Sequence, residues 1–170
     1  MLINDILSKA RTQWMNGKTL DAGKLLFEQL DMEIRPRWAA NILKLVLERT
    51  GIKSNPIDRI ISIANCPNDW GKAHDAFSAL RKAALDLEQL KARSPQQTLL
   101  LSHLLLAELV AKVTYNSTNP PDGFDEDSGW WIAPCLKDIL NLVGDQKFSA
   151  AMWSALSSDE MKNGILPKGE

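Results

Sequence analysis

Residues 69–115 read DWGKAHDAFSALRKAALDLEQLKARSPQQTLLLSHLLLAELVAKVTY, and their pattern determines most of the architecture. Within residues 73–87, apolar residues recur at alternating steps of four and three. This heptad spacing is typical of a helix that packs against an antiparallel neighbour. The neighbour follows at once, because Ser94-Pro95-Gln96-Gln97 is a capping box with proline at the first helical position. We therefore predict an antiparallel helix hairpin over 69–92 and 95–115 at the centre of the fold. The apolar residues that carry the heptad are Ala73, Phe77, Leu80, Ala84 and Leu87.

The second helix of this hairpin has leucines on nearly every side. Only Gln97, Glu108 and Lys112 form a weak polar sector, and a helix that is apolar all round is normally buried. Its longest apolar run, Leu99 to Val113, is too short to span a membrane. We interpret it as the central core helix, and we expect no membrane association.

Helical signals continue on both sides of the hairpin. Gly51 and Gly144 are placed to end helices, and Pro36 is placed to start one. Pro134 requires its helix to begin at about residues 131–133, because the proline ring clashes beyond the first turn. We predict an all-α fold: a single-domain irregular bundle of about seven or eight helices over residues 1–156, with a frayed tail at 157–170.

One stretch lacks helical periodicity, and it reads NSTNPPDGFDEDSGWW over residues 116–131. It contains two prolines, two glycines, four carboxylates and three aromatic residues, with no lysine or arginine between Lys112 and Lys137. Loops of this length are uncommon in compact domains and are usually functional or disordered. Trp130 precedes the helix start that Pro134 imposes, so its side chain can reach either the core or solvent. This acidic loop is the strongest functional candidate in the sequence.

Charge is unevenly distributed along the chain. The formal net charge of −1 combines +4 over residues 1–112 with −5 over residues 113–170. The two cysteines, Cys66 and Cys135, fit a reducing compartment without disulfides, and we interpret both as small core residues. The N-terminal segment mixes charged residues into its apolar positions and does not resemble a secretory signal. We expect a soluble, cytoplasmic protein.

The residues capable of catalysis or metal binding form no recognisable motif. His74 and His103 are too few for most zinc sites. His103 falls on an apolar helix face, as a core residue would, and His74 falls on a helix surface. The loop acids do not follow the ligand order of a helix-loop-helix calcium site, because the twelfth position counted from Asp125 is Leu136. We predict no catalytic residue, no metal and no cofactor.

Two classes of function remain open for the loop. The first is a non-enzymatic protein that binds another protein through residues 116–131, since exposed aromatic residues are the usual anchors of interfaces. The second is a small enzyme, such as a metal-dependent hydrolase, in which the loop carboxylates act as acid, base or metal ligands. We favour the first and leave the oligomeric state open. The expected partner-binding residues are Phe124, Asp125, Asp127, Trp130 and Trp131.

Nucleic acid is not an expected partner. Basic residues gather at one end of the hairpin, but Asp86 and Glu88 interrupt them, and phosphate binding requires a continuous basic face. The basic residues concerned are Arg81, Lys82, Lys91 and Arg93.

Overall fold

The computed structural model describes residues 3–119 and 123–157, and it confirms the all-α class. Over these residues the chain forms eight α-helices and no strand, in one compact arrangement. Two 3-10 turns, Pro67–Lys72 and Glu126–Trp131, precede the fifth and the seventh of these helices. Residues 158–170 of the predicted tail lie outside the described part of the chain. The helices are α1 (Ile3–Met15), α2 (Thr19–Phe27), α3 (Arg35–Thr50), α4 (Asn55–Ala64), α5 (Ala73–Glu88), α6 (Pro95–Asn116), α7 (Ile132–Val143) and α8 (Gln146–Leu156).

Helices α5 and α6 form the predicted antiparallel hairpin and pack together more extensively than any other pair. Three contacts fix their relative direction, because residue numbers rise on one helix as they fall on the other. His74 packs against Tyr115, Phe77 lies near Lys112, and Arg81 pairs with Glu108. The predicted capping box is present, with Gln97 N donating to Ser94 Oγ at 3.1 Å and Ser94 N donating to Gln97 Oε1 at 2.9 Å.

The predicted bounds of the first hairpin helix, 69–92, were wrong at both ends. Residues 67–72 form a 3-10 turn instead, in which the buried Trp70 donates its indole N–H to the Ala64 carbonyl at 3.0 Å. Holding this side chain against the end of α4 separates the turn from the regular helix. At the other end α5 stops at Glu88, and Arg93 Nη1 donates to the Leu87 carbonyl at 3.2 Å in its last turn.

Helix α6 occupies the centre of the arrangement, as predicted. Helices α3, α4, α5 and α7 all pack against it, and Leu104 and Leu106 are fully buried. The expectation that its apolar run is too short to span a membrane does not hold for the whole helix, because by length and composition alone α6 could cross one. Of its most apolar window, 56% is buried inside the fold. Burial against four other helices accounts for leucines on every side.

The buried polar residues of α6 have partners within the core. His103 is fully buried, which confirms its interpretation as a core residue, and its Nδ1–H donates to the Leu99 carbonyl at 2.6 Å. Its Nε2 lies 2.8 Å from the Thr50 hydroxyl on α3. Burial lowers the pKa of His103, so the neutral ring is favoured.

Burial also raises the pKa of the half-buried Cys135 thiol on α7 to about 12, which disfavours the reactive thiolate.

Helix α7 begins where Pro134 requires. Its first residue is Ile132, within the predicted 131–133, and Pro134 lies in the first turn, where a missing N–H leaves no bond unmade. The helix ends at Gly144, whose φ of 68° is left-handed and favours glycine. Trp131 is consequently the residue that immediately precedes the helix.

Candidate functional site

The side chain of Asn116, the last residue of α6, hydrogen-bonds the backbone of the acidic loop at Phe124. Asn116 Oδ1 accepts a hydrogen bond from Phe124 N at 2.6 Å, and Asn116 Nδ2 donates to the Phe124 carbonyl at 3.1 Å. A Cβ at Gly123 would overlap Asn116 Oδ1 and the Asn119 carbonyl, so only glycine fits there. These contacts fix where residues 123 and 124 come back to the end of α6. Residues 120–122, including Asp122, lie outside the described part.

Phe124 packs into an aromatic cluster on the α5–α6 hairpin. Its ring centroid lies 4.8 Å from that of Phe77, 5.6 Å from that of Tyr115 and 5.9 Å from that of His74. Lys112 Nζ lies 5.6 Å from the Phe124 ring centroid, within cation–π range. The sequence interpretation of His74 as simply solvated was incomplete, because one face of its exposed ring stacks on Phe124.

The second 3-10 turn, Glu126–Trp131, packs against α2 through two glycines. On α2, Gly23 allows the Trp130 carbonyl to approach the helix backbone. On the turn, Gly129 lies against the Phe27 ring so closely that a Cβ there would overlap three ring atoms. Because both positions lack a Cβ, α2 and the turn can pack this closely. This contact fixes the backbone of the turn that carries Trp130 and Trp131.

A cleft of about 310 Å³ lies between α2, the start of α3, the end of α6 and the second 3-10 turn. We call it the loop cleft. Its volume is at the lower end of the range for small-molecule pockets, about 300–1,000 Å³. Ser117 Oγ donates to the Met32 carbonyl at 3.0 Å and ties two of its walls together. The lining residues are Phe27, Glu28, Met32, Arg35, Val113, Asn116, Ser117, Phe124, Glu126, Gly129 and Trp130.

Arg35 provides the positive charge of the loop cleft. Its guanidinium carbon lies 4.4 Å from the Phe27 ring centroid, and its Nε donates to the Leu30 carbonyl at 3.0 Å. Burial lowers the pKa of Arg35, while Glu28, Asp31 and Glu126 act in the opposite direction. A guanidinium stays protonated in proteins, so Arg35 is a fixed cation beside several carboxylates.

The two tryptophans of the loop occupy different environments. Trp130 is half-buried, lines the loop cleft and packs against the core, with Lys24 Nζ 4.5 Å from its ring centroid. Trp131 does not line the cleft, and 46% of its surface is exposed. Its indole N–H donates to Asp127 Oδ2 at 3.4 Å. Trp131 is therefore an exposed aromatic residue oriented by an acid of the same turn.

The structure brings together only part of the set of partner-binding residues expected from the sequence. Phe124 and Trp130 line the loop cleft, whereas Asp125 and Trp131 lie exposed outside it and Asp127 contacts the Trp131 indole. Among the described residues, no three His, Cys, Asp or Glu side chains come close enough to hold a metal ion.

Sequence reasoning missed three residues that build the cleft: Phe27, Arg35 and Asn116. Phe27 and Arg35 lie on α2 and at the start of α3, far from the loop in sequence, and no local pattern connects them with it. Asn116 is the first residue of the loop segment identified from the sequence, but no local pattern indicates what its side chain does there. Its role here is to hydrogen-bond the loop backbone.

Comparison of this chain with protein-family models, with curated proteins and with solved structures gives no match.

Proposed function

We propose that this chain is a non-catalytic binding protein, and that its acidic loop and loop cleft recognise a basic segment of another protein. The observation that carries the proposal is the exposed Trp131 ring, which donates to Asp127 and directly follows Trp130, a residue that lines a cleft with aromatic walls. Large exposed aromatic residues beside a concave surface are typical anchors of protein interfaces.

The charge of this surface favours a basic partner. Asp125 and Glu126 are exposed in the same segment as Trp131, and the cleft is lined by two carboxylates, Glu28 and Glu126, against one cation, Arg35. A lysine or arginine can pair with these carboxylates and also lie over an indole ring, as Lys24 lies over Trp130. A partner segment with cationic and apolar side chains would complement both the carboxylates and the aromatic rings of this surface.

The described part of the loop, residues 123–131, is also held in place before any partner arrives. Asn116 holds its backbone at Phe124, and Gly129 packs against Phe27 near its other end. A surface that is already ordered loses less conformational entropy on binding than a flexible one. This supports recognition by the loop rather than a role as a simple connector.

Selection from a displayed library of short random peptides on the immobilised chain tests the proposal. Enriched peptides that use this surface should be rich in lysine, arginine and apolar residues. As soluble labelled peptides, they should bind Trp131→Ala at least about tenfold more weakly, a loss of about 1.4 kcal/mol. The double variant Asp125→Asn, Glu126→Gln should weaken binding as well, and more so at low salt.

Leu142→Ala is the matched control, because Leu142 is an exposed apolar residue at the end of α7, away from the loop. It should leave binding of the basic peptides unchanged. Basic peptides that bind the wild type and Trp131→Ala equally well would contradict the proposal, as would a library that yields none.

A further inference from the structure

A second concave surface lies at the opposite end of α6 from the loop. It is an open groove of about 670 Å³ where the C-terminal ends of α3 and α7 meet the start of α6. We call it the basic groove. The residues that give it its chemistry are Arg49, Ile52, Arg93, Leu99, Leu142 and Val143.

The apolar part of the basic groove includes two exposed side chains. Leu142 is 50% exposed and Val143 is 39% exposed. The two residues are adjacent in the last turn of α7. The chain leaves α7 at Gly144 with a left-handed φ, and the last turn of α7 stays exposed with α8 present. Single exposed apolar residues are ordinary, but an adjacent pair above a concave apolar floor is typical of an interaction site.

The charged part of the basic groove has one sign. Arg49 and Arg93 line it, and Lys53 lines a hollow of about 600 Å³ that adjoins it through Ile52 and Gln96. Neither set of lining residues contains an aspartate or glutamate. Arg93 uses one N–H on the Leu87 carbonyl, and a guanidinium has further donors for a carboxylate.

We propose that the basic groove binds a protein segment in which carboxylates alternate with aliphatic side chains. The aliphatic side chains would cover Leu142, Val143 and Ile52, and the carboxylates would pair with Arg49 and Arg93. The proposal concerns a surface separate from the acidic loop and does not depend on the function proposed for that loop.

Other occupants fit this surface less well. Single-stranded nucleic acid needs aromatic rings for base stacking, and the residues that line the groove are aliphatic or polar. A bilayer is too flat to reach the floor of a groove. A symmetric contact between two copies of this surface would bring together two arginine-bearing patches with no lining carboxylate between them, and like charges repel.

The same peptide library tests this inference when its acidic binders are isolated. The enriched acidic peptides should contain leucine, isoleucine or valine beside aspartate or glutamate. Their affinity, measured by fluorescence anisotropy, should fall at least about tenfold in Arg49→Glu, Arg93→Glu. Leu142→Ser should weaken binding without altering the charge of the groove.

The matched control is Arg37→Glu, Lys44→Glu, which changes the net charge equally at two exposed positions of α3 that do not line the groove. It should keep the wild-type affinity within about twofold, and Trp131→Ala should do the same. Melting temperatures of all variants establish that each one is folded.

Several results would overturn the inference. One is a library that yields no acidic binder, and another is an equal loss of affinity in the groove variant and in the control. Preferential binding of RNA, or of vesicles containing anionic lipid, that depends on Arg49 and Arg93 would assign the groove to a different partner. Self-association in sedimentation velocity that disappears in Arg49→Glu, Arg93→Glu would assign it to a second copy of the chain.

Discussion

Arg81 on α5 holds Glu108 on α6 with one nitrogen shared between both carboxylate oxygens, at 3.0 and 3.2 Å from Nη1. Its other terminal nitrogen donates to Glu88 at 2.7 Å. Glu108 is almost fully buried, whereas Glu88 is exposed. The two carboxylates therefore share one guanidinium. Loss of that guanidinium would leave a buried unpaired carboxylate at Glu108 but only an exposed one at Glu88.

Arg81→Met should destabilise the fold in a pH-dependent way. Burial raises the pKa of Glu108, and Arg81 opposes that shift, so its removal raises the pKa further. When the pKa of a carboxyl group is higher in the folded than in the unfolded protein, its contribution to the free energy of unfolding is present at low pH, where the group is protonated. That contribution is lost as pH rises through the folded-state pKa. Urea unfolding should show little deficit near pH 4 and a deficit of about 1–3 kcal/mol at pH 7.

Glu88→Gln provides the comparison for this experiment, since it removes the exposed half of the same network. Its cost should stay below about 1 kcal/mol at every pH. A deficit for Arg81→Met that is the same at pH 4 and pH 7 would mean that Glu108 is not the group responsible.

Gly129→Ala should disturb the loop at its contact with α2. The added Cβ overlaps the Phe27 ring, and overpacking of this kind costs about 1–3 kcal/mol. Gly71→Ala is the control, because a Cβ there meets no atom within 4 Å. Denaturant unfolding should place Gly71→Ala within about 0.5 kcal/mol of the wild type. Equal stabilities for the two variants would contradict the close packing of the second 3-10 turn on α2.

The elements predicted correctly from the sequence are those fixed by local chemistry. Pro134 determined the start of α7, and the Ser94–Gln97 capping box determined the start of α6, because both act within one turn of the chain. The errors came from side-chain contacts that reach beyond one turn of the chain. Trp70 donates to the Ala64 carbonyl, six residues back, within the 3-10 turn that replaces the helix start expected at residue 69. Glu108 belonged to the weak polar sector of its helix, but Arg81 on another helix allows it to be buried.

The candidate site could be located from the sequence but not constructed from it. The prolines, glycines and acids of residues 116–131 identify the segment, and Pro134 places Trp131 next to a helix start. The cleft, however, needs Phe27 and Arg35 from another part of the chain. Nothing in a single sequence indicates that Gly129 and Phe27 meet, since glycine carries no side chain by which to infer a contact.

Millimolar Mg²⁺ or Ca²⁺ should leave the melting temperature unchanged. Hard cations need several oxygen ligands that converge, whereas Asp127 is directed to the Trp131 indole and Asp125 is exposed. A cation that bound the native state would raise the melting temperature by mass action. A rise that disappears in Asp125→Asn, Asp127→Asn would contradict this expectation and favour the metal-dependent hydrolase.

The adjacent tryptophans should respond differently to truncation. Trp130→Ala should cost about 1.5–3 kcal/mol in denaturant unfolding, because the half-buried ring packs against the core and lines the loop cleft. Trp131→Ala should stay within about 1 kcal/mol of the wild type, since the ring is exposed and its hydrogen bond to Asp127 is long. If Trp131 is the binding anchor, the same substitution should reduce the affinity for basic peptides at least about tenfold while stability is kept. A large loss of stability in Trp131→Ala, with peptide affinity preserved among the folded molecules, would make this ring a structural residue and leave the acidic loop without an anchor.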